Sequence, residues 1–117
     1  MRAVHSWTDS SATIGVEGLT RELRVLHITD PHIAQVDARD PQLADFQNLE
    51  DRFLHRHQNF DERGEPIAPS AAFAQTLAAF EGQGLDLVAL TGDIVDVPAQ
   101  ASVDLVMDCL AANGTEF

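Results

Sequence analysis

The chain is 117 residues long, 44% hydrophobic and 22% charged, the make-up of one small globular domain or a piece of a larger one, and not of a disordered chain. Seven basic residues against 19 acidic ones leave a formal charge of −12. So acidic a surface repels phosphate backbones and anionic lipid heads, which disfavours long nucleic acid and membrane surfaces as partners. A small phosphorylated substrate stays compatible, because a bound metal can supply local positive charge.

In chain order, residues 1–11 are polar and serine-rich and read as a loose lead-in. Ala12, Ile14 and Val16 then alternate with Thr13, Gly15 and Glu17, which predicts a half-exposed strand. Leu23–Thr29 is almost continuously apolar and rich in branched residues, the pattern of a strand covered on both faces, and Pro31 stops it. Residues 34–68 read as an inserted lobe. Within it Pro41 could open a helix in which Leu43, Phe46, Leu49 or Glu50, and Phe53 share a face.

From Ser70 the periodicity sharpens. Ser70 is a candidate cap, and Phe73, Leu77 and Phe80 recur at helical spacing up to Gly82 and Gly84. Leu85–Thr91 is a second buried strand, broken at Gly92-Asp93. After Pro98 a helix is expected with Val103, Val106, Met107 and Leu110 on one face and Asn113-Gly114 at its end. Thr115–Phe117 looks like the start of a third strand. Strand, helix, strand, helix is an α/β pattern, and a crossover of this kind makes the two buried strands parallel.

Asp30 directly follows the first buried strand, and Asp93 follows the second after one glycine. Ligands in open α/β sheets bind beyond the carboxyl ends of the strands. Adjacent strands lie about 4.8 Å apart, so carboxylates leaving neighbouring strand ends can converge on one cation. His32 can turn its imidazole to the same point, Pro31 stiffens the turn, and Gly92 keeps the approach to Asp93 clear. Two carboxylates and an imidazole suit manganese, iron, zinc or cobalt better than calcium or a thiolate-type site. Either Asp alone would more often just cap a turn; the conjunction is what carries chemistry.

At these residues the chain resembles a family. VLHITDPHI (residues 25–33) and LVALTGDIVD (residues 87–96) are similar to the first two signature motifs of the calcineurin-like metallophosphoesterases. The resemblance covers residues 23–33 and 69–117, and hardly touches 34–68. It implies a four-layer β-sandwich flanked by helices, of which this chain would be the opening half, with residues 12–117 as the N-terminal part of the domain. It also implies that Asp30 and His32 bind one metal, that Asp93 bridges two divalent or trivalent ions, and that hydroxide activated by both ions hydrolyses phosphate mono- or diesters. The family's third signature, Gly-Asn-His-Asp or Gly-Asn-His-Glu, does not occur in this sequence. The expectation is therefore an N-terminal fragment of a hydrolase, inactive by itself and exposing apolar helix and sheet faces. A non-catalytic metal-binding or protein-interaction module with the same truncated fold is the alternative.

Other residues tempt without carrying the argument. His27, among apolar neighbours, reads as a hydrogen-bonded core histidine. His55 and His57 could meet only on an extended segment. Asp96 reads first as a turn residue before Val97-Pro98, and only second as a support to the site. Cys109 has no recognisable base partner and no internal disulfide partner, which fits a reducing compartment. Asn113-Gly114-Thr115 matches a glycosylation pattern but reads better as a helix end. The opening residues lack the apolar block of a secretory signal and no stretch could span a bilayer, so a cytoplasmic location is expected.

Overall fold

Strands β3 (Val25–Thr29) and β4 (Leu87–Thr91) run side by side and parallel, in register from Val25 opposite Leu87 to Thr29 opposite Thr91. The adjacency on which the proposed convergence of Asp30 and Asp93 depends is therefore present in this computed structural model, which describes residues 2–56 and 58–117. The remaining elements are β1 (Ala3–Trp7), β2 (Ala12–Val16), α1 (Leu49–Arg52), α2 (Pro69–Ala79) and α3 (Gln100–Asn113), with 3-10 turns at Pro41–Phe46 and Leu54–Arg56. The architecture is mixed α/β: two small sheets and three helices among the described residues. No helix among them is long and apolar enough to cross a membrane.

Alternation along β3 and β4 decides what the sheet buries. Leu26, Ile28, Val88 and Leu90 face α2 and α3, which pack against each other and close a core of Ile33, Phe73, Leu77, Val88, Val106 and Leu110. Each such side chain contributes about 1.5–3 kcal/mol by leaving water. Val25, His27, Thr29 and Leu87 stay exposed. The expectation that both faces of β3 are covered is thus corrected: a run of branched residues made it look two-sided, but the helices cover one face only.

Two further expectations change for the same reason, that distant polar groups fix the helices. Ser70 does not cap α2; its backbone N–H and its hydroxyl both donate to Glu50 Oε2, at 3.1 and 2.6 Å. Along α3 the buried residues are Ser102, Val106, Leu110 and Asn113, while Val103 and Met107 are 45% and 46% exposed. The Ser102 hydroxyl donates to the Gln35 carbonyl and accepts from the Gln35 N–H, both at 2.9 Å, and Asn113 Nδ2 donates to the Leu77 carbonyl at 2.7 Å. These ties at its two ends turn the helix away from its most apolar stripe. Val25 and Leu87 on the sheet and Val103 and Met107 on α3 are thus exposed apolar side chains.

Residues 34–68 do not form the continuous helix suggested from Pro41. The 3-10 turn stops at Gln47 (ψ 140°), Asn48 is left-handed (φ 56°), and α1 lasts one turn. The first half of this segment is nevertheless bound to the core. Leu43 and Leu49 pack on Ala34, Val97 and Ala99, Asp40 accepts from the Gln100 N–H that opens α3, and Arg39 pairs with Asp104 at 2.6 Å.

The loose lead-in is also corrected. Ala3–Trp7 pairs antiparallel with Ala12–Val16 as a hairpin whose turn is held by Thr8 and Ser11. None of its described residues joins either core cluster, and Trp7 is 78% exposed. Thr115–Phe117, expected to start a third strand, forms no strand here, although the Val88 N–H donates to the Glu116 carbonyl at 2.8 Å.

Candidate metal centre

Beyond Thr29 and Thr91 the two strands do not simply diverge. Their continuations stay zipped by His32 N–H to the Asp93 carbonyl, Ile33 N–H to the Ile94 carbonyl and Asp96 N–H to the Ile33 carbonyl, all at 2.9–3.0 Å, and a parallel bridge joins Ile33 to Val95. Asp30 and His32 flank Pro31 with left-handed backbones (φ 50° and 52°), a conformation that Asp and His tolerate better than most residues. Such residues cost about 1–3 kcal/mol each and persist only when their surroundings hold them. Here the inter-loop hydrogen bonds and the buried Ile33–Ala34 pair do so.

This double loop brings Asp30, His32 and Asp93 together, each with a ligand atom within 4.8 Å of the other two. Asp30 Oδ2 accepts from the Thr29 hydroxyl and Oδ1 from the Asp93 N–H at 3.2 Å. Both bonds favour the ionised form and hold its pKa below the ordinary carboxylate value, the Thr29 bond having the larger effect. The His32 pKa is raised, chiefly by its hydrogen bond to Asp96 and further by the charges of Asp96, Asp93 and Asp30, against some loss from burial.

Asp96 is therefore more than a turn residue. Its Oδ1 lies 2.5 Å from His32 Nδ1, the carboxylate–imidazole pairing that commonly orients a metal-binding histidine. With Nδ1 so engaged, Nε2 is the nitrogen that would meet a metal. The parallel register could have signalled this, since it sets the residues after Asp93 beside those after Asp30.

Gly92 acts differently from expectation. A Cβ there would fall 2.5 Å from both Asp30 carboxylate oxygens, so it is Asp30, not the approach to Asp93, that requires the glycine. The set fits a cation on this chain's own terms: mixed oxygen and nitrogen donors within 4.8 Å of one another and an oriented imidazole.

Among the described residues, no other candidate belongs to the group formed by Asp30, His32 and Asp93. His27 is hydrogen-bonded as expected, its Nε2 2.7 Å from Thr91 Oγ1, but it lies on the open sheet face and not in the core. His55 is exposed in the second 3-10 turn, and His57 lies outside the described residues. Cys109 is half-buried, and burial pushes its thiol pKa up, away from a reactive thiolate. The Asn113 amide is buried, as a helix-ending residue should be and a glycan acceptor should not.

Sequence reasoning missed Glu50. It is only 2% exposed, and its carboxylate accepts from the Ala34 N–H at 2.7 Å and from both donors of Ser70. It thereby ties α1 to Ala34, two residues past His32, and to the start of α2. The signal was an acidic residue at a position that the apolar spacing assigned to a buried face.

No family model, curated protein or solved structure matches this chain.

Proposed function

We propose that this chain belongs to a metal-dependent phosphoesterase of the calcineurin-like type, with Asp30, His32 and Asp93 as metal ligands. The observation that carries this reading is their convergence within 4.8 Å at the carboxyl ends of two parallel strands. In the form that the resemblance implies, Asp30 and His32 hold one ion and Asp93 is shared with a second, the ions being manganese, iron, zinc or cobalt. The unit β3–α2–β4–α3 would then open a β-sandwich flanked by helices. The exposed apolar residues Val25 and Leu87 on the free sheet face support a second layer there.

When bound, such ions acidify a coordinated water and neutralise charge on the phosphoryl group. The chain's own residues prepare the place. Thr29 and the Asp93 amide keep Asp30 ionised, Asp96 fixes the ring of His32, and Gly92 leaves room for the Asp30 carboxylate. The substrate is a small phosphate ester, since the surface charge of −12 opposes a polyanion.

Binding of orthophosphate, the product of monoester hydrolysis, tests the phosphoester chemistry without requiring turnover. Phosphate binding should depend on added zinc or manganese and vanish in Asp93→Asn. Metal binding without metal-dependent phosphate binding would instead favour a non-catalytic metal module.

A further inference from the structure

Next to the metal ligands a cavity of about 170 Å³ opens between the Asp30–His32 turn and α2. Asp30 and His32 form one side of it, Ile28, Ala72 and Phe73 form apolar wall, and Thr76 and Asn59 add polar groups. The Thr76 hydroxyl donates to the Ala72 carbonyl at 2.8 Å, which leaves its oxygen able to accept. A cavity near 150 Å³ holds one benzene ring. No Lys or Arg is among the described residues that line the space, and the sequence contains no lysine at all. Beyond an ion held at the ligands, a second anionic group on a bound ester would therefore find no Arg or Lys to pair with along α2.

The geometry points to this cavity as the seat of the ester substituent, and to substrates with a single phosphoryl group on an uncharged substituent about the size of one ring. This inference rests on the phosphoesterase reading and goes beyond it by naming the substrate class. The phosphoryl group would lie at Asp30, His32 and Asp93 while the substituent lies along Ala72, Phe73 and Thr76 of α2. Loss of water from Ile28, Ala72 and Phe73 favours the organic part, while the polar groups opposite them fix its orientation.

The test is a titration of the zinc-loaded chain, by calorimetry and by amide NMR, with orthophosphate, phenyl phosphate and 4-carboxyphenyl phosphate. Phenyl phosphate should bind about tenfold more tightly than orthophosphate, the equivalent of one logarithmic step in affinity. It should also shift the amides of Ala72, Phe73 and Thr76, which orthophosphate leaves in place. The added carboxylate should abolish the advantage. Equal affinity for phenyl phosphate and orthophosphate, or shifts confined to the metal loops, would overturn the inference and leave the phosphoesterase reading standing. An undiminished advantage for 4-carboxyphenyl phosphate would overturn it as well. Zinc binding with no affinity for any of the three would overturn both.

Discussion

Two glycines separate a backbone effect from a site effect. Gly82 and Gly92 have nearly the same left-handed backbone, φ 69° and 72°, but a Cβ at Gly82 meets nothing within 4 Å whereas one at Gly92 falls 2.5 Å from both Asp30 oxygens. Alanine in that conformation costs about 1–2 kcal/mol, partly offset by a less flexible unfolded chain. Gly82→Ala should therefore lose about 1 kcal/mol in urea unfolding and bind metal as before. Gly92→Ala incurs the same backbone cost and must also displace Asp30 from the Thr29 hydroxyl and the Asp93 N–H. Its loss in urea unfolding should therefore exceed that of Gly82→Ala. Moving one ligand out of a three-ligand set should lower zinc affinity at least as much as losing an outer-shell partner, about 10–100-fold. Urea melts and zinc calorimetry on both variants decide the matter. Zinc affinity unchanged in Gly92→Ala, or lowered equally in Gly82→Ala, would refute the steric account.

Glu50→Ala removes the buried acceptor shared by Ala34 and Ser70, so it should cost about 3–5 kcal/mol in urea unfolding, and Glu50→Gln less. A loss under about 0.5 kcal/mol would show that these donors find other partners. Asp96→Asn should bring the His32 pKa back down toward its ordinary value, read by imidazole NMR, and weaken zinc binding about 10–100-fold; an unmoved pKa would contradict the pairing. The Asp86 pKa is lowered by the Arg24 N–H and by Arg21, so its contribution is present above the unfolded value of 3.8 and is lost as pH falls through the lower folded value. Asp86→Asn should thus reduce stability at neutral pH and flatten the acid limb of the stability curve. The same slope in the variant would assign that limb to other carboxylates.

The convergence of Asp30, His32 and Asp93 was legible because strand ends are marked by local chemistry. Branched runs ending in Thr-Asp-Pro-His and Thr-Gly-Asp give the element and the break together, and a crossover fixes the parallel sense. What the sequence hides is long-range satisfaction of polar groups. Glu50 reaches Ser70 across 20 residues, and Ser102 reaches Gln35 across 67. No periodicity encodes such pairs, yet they replace the Ser70 cap and turn α3 away from Val103 and Met107. Asp96 was read as a turn residue because the bond to His32 spans 64 residues and follows from the register of two loops, not from spacing within either. The hairpin was missed for a simpler reason: His5 and Ser6 make its first strand look like a polar tail, and no buried face reveals it.

The central claim is that Asp30, His32 and Asp93 hold a metal ion. Its most direct test is the metal content of the purified chain after exposure to zinc and gel filtration, beside Asp93→Asn, with far-UV circular dichroism checking that the variant folds. The account predicts about one ion or more per chain, lost in the variant while the fold remains. No ion above background in the parent, or the same ion content in both proteins, would contradict it.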